Sequence, residues 1–128
     1  MRRGSTLVEC ALVTTVFIFL LVGIMEIGRL GFACNSITFA AHRAARFAAT
    51  RGSSSGHAAS VSDIQNAALS YVAALDTAAL SVGVTWTPDN HPGSQVQVQV
   101  SYSFKPLLIP LSASALTLKS TSSQVITQ

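Results

Sequence analysis

The chain has 128 residues, one small domain's worth, of which 49% are hydrophobic and only 10% charged. A soluble domain is typically about 25% charged, so the composition points to an apolar membrane segment joined to a lightly charged folded part. The net charge of +3 comes from 8 basic and 5 acidic residues, with Arg2, Arg3, Arg29, Arg43, Arg46 and Arg51 in the first half and only Lys105 and Lys119 beyond. A nucleic-acid partner would call for basic residues interleaved with aromatics or gathered on one folded face, and none is expected here.

In chain order, the first element is apolar. Cys10 to Met25, "CALVTTVFIFLLVGIM", is an unbroken uncharged run. Extended back to Ser5 it reaches the roughly 20 residues that cross a bilayer core as a helix. Glu9 stands at its entrance, and Glu26 and Arg29 stand at i,i+3 where it ends. "LGFACNSITFAAHRAARFAATRG" follows, rich in alanine and without proline. It places Ile37, Ala40, Ala41, Ala44 and Ala48 on one side of a helix, with His42, Arg43 and Arg46 elsewhere. "RGSSSGHAAS" breaks the pattern. One helix is expected from about residue 5 to about residue 50, roughly 68 Å long. Cys10 and Cys34 on that helix lie about 36 Å apart, too far to bridge. Cys10 reads as a small apolar residue of the span, and Cys34 as a free thiol or a link between subunits.

A second helix is expected from Ser62, which with Asp63, Ile64 and Gln65 fits a capping box. Its apolar stripe is Ile64, Ala68, Tyr71 and Leu75, and its expected end is near Ser81. Val82, Val84 and Trp86 then alternate with Gly83, Thr85 and Thr87, and "TPDNHPG" is a turn. In "QVQVQVSYSF" the residues Val96, Val98, Val100, Tyr102 and Phe104 share one face, the mark of a half-buried antiparallel strand. "KPLLIPLS" carries two prolines and reads as a connection or an edge. "ASALTLKSTSSQVIT" supplies a third strand. The predicted fold class is α+β: a long N-terminal helix, buried in lipid at one end and packed on a small three-stranded sheet at the other, with one short extra helix.

Chemistry-bearing groups are sparse. His42, His57 and His91 lack zinc-ligand spacing and read as solvated or loop residues. Asp63, Asp76 and Asp89 each have a structural place, at a helix start, near a helix end and in a turn. No nucleophile elbow or phosphate-cradling loop is present in the sequence. Neither an enzyme nor a cofactor or metal is expected. Tyr71, Trp86, Tyr102 and Phe104 are expected to pack between sheet and helix. "QVQVQV" suits an ordinary meander strand better than a template for strand addition.

Arg2-Arg3-Gly4, Glu9 at the fifth place after the glycine, and an apolar helix together resemble the type IV prepilin leader. The N-terminal half as a whole, "GSTLVECALV…GIMEIGRLG" followed by "AAHRAARFAATRG", is similar to the TadE-like family of minor pseudopilins from tight-adherence (Flp) pilus systems. The resemblance covers residues 1–52. It implies a pilin-like fold and cleavage after Gly4 by a prepilin peptidase of the inner membrane, leaving Ser5 as the new N-terminus. The mature subunit would join, cap or initiate a pilus-like assembly. Glu9, then the fifth residue, would pair with the N-terminal amine of a neighbour or of its own chain. The implied partners are other pilin or pseudopilin subunits, the peptidase and the pilus assembly platform. Cys10 departs from the aromatic residue that many relatives carry after the glutamate.

The resulting division is a leader at 1–4, a transmembrane helix at 5–25, its extra-membrane continuation at 26–52 and a small periplasmic domain at 53–128. Without the resemblance, Glu9 is equally a carboxylate that snorkels to the headgroups beside Arg2 and Arg3. Glu26 and Arg29 read as an interfacial pair marking the membrane exit, and Arg43, Arg46 and Arg51 as a solvated face. Arg2 and Arg3 favour a cytoplasmic N-terminus, with Arg29 and Arg43 competing from the other side; the resemblance favours N-in. A cleaved secretory signal fits poorly, because no A-x-A site follows Met25 before the charged pair. The alternative to an assembly subunit is an uncleaved single-pass anchor presenting a small binding domain.

Overall fold

The structure, a computed structural model, describes residues 3–72, 74–107 and 115–127. Residues 108–114, most of the expected connection after Lys105 and the start of the third expected segment, lie outside them, as do Met1 and Arg2. The elements are α1 (Arg3–Ala49), α2 (Val61–Ser70), a single 3-10 turn (Thr77–Ala79), β1 (Leu80–Thr87), β2 (Gln95–Phe104) and β3 (Leu116–Val125).

Helix α1 runs 47 residues without a break. It contains no proline, and two of its hydroxyls bond back to carbonyls one turn earlier. Thr15 Oγ1 donates to the Ala11 carbonyl at 2.8 Å and Thr38 Oγ1 to the Cys34 carbonyl at 2.8 Å. The two halves differ in what surrounds them. From Leu7 to Leu21 the large apolar side chains are exposed on every side of the helix, the pattern of a segment that no soluble fold covers. One apolar helix near the N-terminus, long enough to cross a bilayer, fits a single-pass membrane anchor. From Ala33 on, a stripe of Ala33, Ile37, Ala40, Ala41, Ala44, Ala45 and Ala48 is buried. Alanine has little side chain to hold backbones apart, so the helix lies close on the sheet, as its alanine face predicts.

The sheet is an antiparallel meander in the order β1-β2-β3. Val98 of β2 is opposite Val84 of β1 and Ser122 of β3. Val96, Val98, Val100 and Phe104 are buried and Tyr102 is half-buried, so the period-2 reading of "QVQVQVSYSF" holds. As the central strand, β2 has both edges paired, which rules it out as a template for strand addition. Strand β2 runs antiparallel to α1. Ile126, Ser94 and Thr127 fasten its upper end, with Thr127 N–H on the Ala49 carbonyl at 3.1 Å, while Phe104 lies under Arg29 at the lower end. From Arg29 to Ala49 the helix rises about 30 Å, and the ten residues of β2 extend about as far. Sheet and upper helix are thus matched in length.

Helix α2 starts and ends elsewhere than expected. Its N-cap is Ser60, not Ser62. Ser60 Oγ accepts the Asp63 N–H at 3.2 Å, and the Asp63 carboxylate accepts the Ser60 N–H at 3.0 Å. Asp63 therefore closes the box that Gln65 was expected to close, being the shorter acidic side chain at the third position after the true cap. Gln65 instead donates to the Val82 carbonyl at 3.0 Å, tying α2 to the outer edge of β1. The helix stops at Ser70 rather than near Ser81, because Asp76 caps the 3-10 turn through Ala78 N–H and β1 already begins at Leu80. Ile64, Ala68 and Val72 are buried from this segment. Tyr71, expected between sheet and helix, is 45% exposed. It meets Phe39 edge-on, at 5.8 Å between ring centroids, on the outer side of α1.

Between β1 and β2 the turn closes on Asp89, whose carboxylate accepts from His91 N–H and Ser94 Oγ–H. Gly93 supplies the positive φ of 90° that lets its N–H reach the Ile126 carbonyl. His42 departs from a purely solvated role: its Nδ1 lies 2.9 Å from Ser122 Oγ, a cross-link from α1 to β3.

Candidate functional site

The residues to which the sequence assigns function lie at two levels of α1. The lower level holds Gly4, Ser5 and Glu9. Gly4 and Ser5 fall in the first turn of the helix, where N–H groups lack intrahelical partners. A methyl group at Gly4 would meet nothing within 4 Å. Ser5 and Glu9 are four residues apart, hence one turn apart on neighbouring sides of the helix. Glu9 is exposed among Thr6, Cys10, Val13 and Thr14. Among the described residues it has no ion-pair partner. An α-amine at Ser5 would lie about 6 Å along the axis from Glu9, within reach of a glutamate side chain.

At the upper level are Glu26 and Arg29. The predicted pair forms: Arg29 Nη1 lies 3.2 Å and 3.1 Å from the two carboxylate oxygens of Glu26. The structure adds what the local sequence hides. Glu26 is only 14% exposed in its side chain, against 42% for Arg29. Glu26 Oε1 also accepts the backbone N–H of Leu107 at 3.2 Å. The guanidinium of Arg29 lies 5.4 Å from the ring centroid of Phe104. The pair is therefore a junction fastening the end of β2 to the helix as it leaves its apolar stretch. Glu26 has more acceptor sites than one guanidinium fills, but the local sequence does not say which amide fills the others.

Above this junction, a cleft of about 250 Å³ opens between α1, β2 and the segment after α2, lined by Arg29, Phe32, Asp76, Tyr102 and Phe104 among others. Two arginines expected on a solvated face lie against rings. The guanidinium of Arg43 lies 5.1 Å from the ring centroid of Phe39 and 5.9 Å from that of Tyr71, and that of Arg51 lies 4.4 Å from the ring centroid of Phe47. Arg46 is exposed. Both cysteines are free and exposed. Among the described residues no three His, Cys, Asp or Glu side chains gather where they would hold a metal ion.

The acidic residues of the folded part have structural work. Hydrogen bonds from the Ser60 side chain and then its backbone hold the Asp63 carboxyl below its ordinary range. Ser94 and then the His91 N–H do the same for Asp89. Both shifts are those of carboxylates accepting donors in caps and turns.

No curated protein and no solved structure matches the chain. The model of one family, described as TadE-like protein, matches residues 4–46. That stretch begins at Gly4, takes in the apolar span and both charged levels, and ends within the alanine face. Over this stretch the helix that carries Gly4, Glu9, Glu26 and Arg29 is similar to TadE-like proteins.

Proposed function

We propose that this chain is a minor pilin or pseudopilin-like subunit that acts in assembly of a tight-adherence pilus or a related secretion filament. One observation carries the reading: the Gly4–Glu9 spacing opens a helix that is apolar on every side, within the stretch that matches the TadE-like family. In this account a prepilin peptidase cuts between Gly4 and Ser5 at the helix's first turn. The released amine of Ser5, or that of a neighbouring subunit, then pairs with Glu9. Two unit charges 4 Å apart attract by about 4 kcal/mol at an effective dielectric of 20. In an apolar helix bundle an unpaired carboxylate is costly. The pair thus fixes the axial register between helices more than it adds stability.

The chain's partners are other pilin-like subunits, the peptidase and the inner-membrane assembly platform. The helix crosses the bacterial inner membrane once, with the N-terminus cytoplasmic and residues 53–128 periplasmic, and the subunit can pass into an extracellular pilus. The reading assigns the subunit a structural role in place of an enzymatic one; in support, its aspartates accept hydrogen bonds in caps and turns, and two of its histidines, His42 and His91, bond serines. The competing reading is an uncleaved anchor that presents the sheet domain. Replacing Glu9 by alanine tests the pairing role, with incorporation read in the sheared filament fraction. Cleaved but poorly incorporated protein is expected, and normal incorporation of Glu9→Ala refutes it.

A further inference from the structure

Glu26 marks where α1 leaves its apolar stretch, and the sheet hangs beside the helix from that level upward. The lower edge of the domain is therefore at the height of the bilayer surface. Leu107 is held there by its hydrogen bond to Glu26, with its side chain 64% exposed. Leu116 is paired with Phe104 at the lower end of β3, and Phe104 is at the level of Arg29. Leu116 is 49% exposed, and Ile27, one residue past Glu26 on the helix, is 71% exposed. Lys105, also exposed, stands between Phe104 and Leu107. Arg29 is about 4.5 Å above Glu26 along the helix. The headgroup layer on each side of the hydrocarbon core is roughly 5–8 Å thick. Aliphatic side chains flanked by a lysine and an arginine at that height match the interface chemistry of apolar contact below and phosphate above.

We propose that this edge, Ile27, Leu107 and Leu116 with Lys105, rests in the headgroup layer of the leaflet through which α1 emerges. The domain then sits on the membrane and is not held clear of it on a helical stalk. The proposal rests on α1 spanning the bilayer. The sheet fixes the orientation, because β2 runs the length of the upper helix and ends at Phe104 beside Arg29, from where the chain reaches Glu26 through the Leu107 N–H. The occupant is the lipid surface, continuous with the span itself.

The test uses the full chain in nanodiscs with a zwitterionic and anionic lipid mixture, and Cys10 and Cys34 replaced by alanine. An environment-sensitive fluorophore is attached at Phe17→Cys, Leu107→Cys, Leu116→Cys or Thr85→Cys in turn. Lipids spin-labelled at the headgroup or mid-chain act as quenchers. The label at Phe17 should be quenched best by the mid-chain probe. Labels at Leu107 and Leu116 should be quenched best by the headgroup probe, and the label at Thr85, on the outer sheet face, by neither. Quenching at Phe17 with Leu107 and Leu116 no more quenched than Thr85 overturns the proposal and leaves the span intact. No quenching at Phe17 or Leu107 overturns both. Leu107 and Leu116 are largely exposed, so their cysteine variants keep the core that folds the domain.

Discussion

Removing the Glu26 carboxylate tests the junction between helix and sheet. In Glu26→Ala two kinds of interaction vanish. The ion pair with Arg29 joins a largely covered carboxylate to a guanidinium 42% exposed, so it contributes about 0–1 kcal/mol. The bond from Leu107 N–H goes to a charged acceptor, for which about 1.5–3 kcal/mol is usual. Leu107 is 64% exposed, and water can replace part of that bond, leaving roughly 1 kcal/mol. Hydrogen exchange of the full chain in nanodiscs reads this directly. The Leu107 amide should exchange about 5- to 10-fold faster in Glu26→Ala, since 1.4 kcal/mol is tenfold. Glu26→Gln retains a carbonyl acceptor without the charge, so it should stay within about threefold of the parent. Unchanged exchange at Leu107 in the alanine variant would show that the junction does not hold the end of β2, and with it the seating of the lower edge would lose its anchor.

Ala44 is fully buried in the alanine face, so Ala44→Leu must push helix and sheet apart. A loss of about 1–3 kcal/mol in chemical denaturation is expected, and an unaltered midpoint would contradict close packing at that face. Ser60→Ala should cost about 1 kcal/mol by removing the α2 cap, whereas Ser62→Ala should stay within about 0.5 kcal/mol. Equal losses for the two serines would dispute Ser60 as the cap. For pH, Asp63 and Asp89 are held below their ordinary range in the folded state. Their contribution is complete above the unfolded aspartate value of about 3.9 and is lost as pH falls through the lower folded values. The melting temperature should drop on acidification below about pH 4. Asp63→Asn should flatten that drop, and an identical pH profile in the variant would remove Asp63 as a cause.

Much of this architecture can be read from local pattern. The span is legible because sixteen uncharged residues in a row leave few soluble alternatives, and β2 because its valines alternate without a break. The alanine face is legible because helical period and residue size agree from Ile37 to Ala48. Helix α2 is less so. Ser60, Ser62 and Asp63 offer two overlapping capping boxes, and only the path of the chain into β1 decides between them. Its early end reflects the same constraint, since Asp76 caps a separate turn before Leu80 enters the sheet. Tyr71 follows from that shortening, because a residue at the helix end faces outward to Phe39 and not inward to the valines. At the candidate site, Gly4, Glu9, Glu26 and Arg29 are visible in sequence through their spacing. The Leu107 amide and the Phe104 ring are not, because each reaches the helix from a segment more than seventy residues away. His42 on Ser122 is hidden for the same reason.

The two readings of the chain part at a single peptide bond. Co-expression with a cognate prepilin peptidase, followed by intact-mass measurement of the membrane-extracted protein, examines it directly. Loss of Met1 to Gly4 and a new N-terminus at Ser5 are expected. A chain still beginning at Met1 or Arg2 under those conditions would contradict processing, deny Glu9 the Ser5 amine as a partner, and favour the uncleaved anchor.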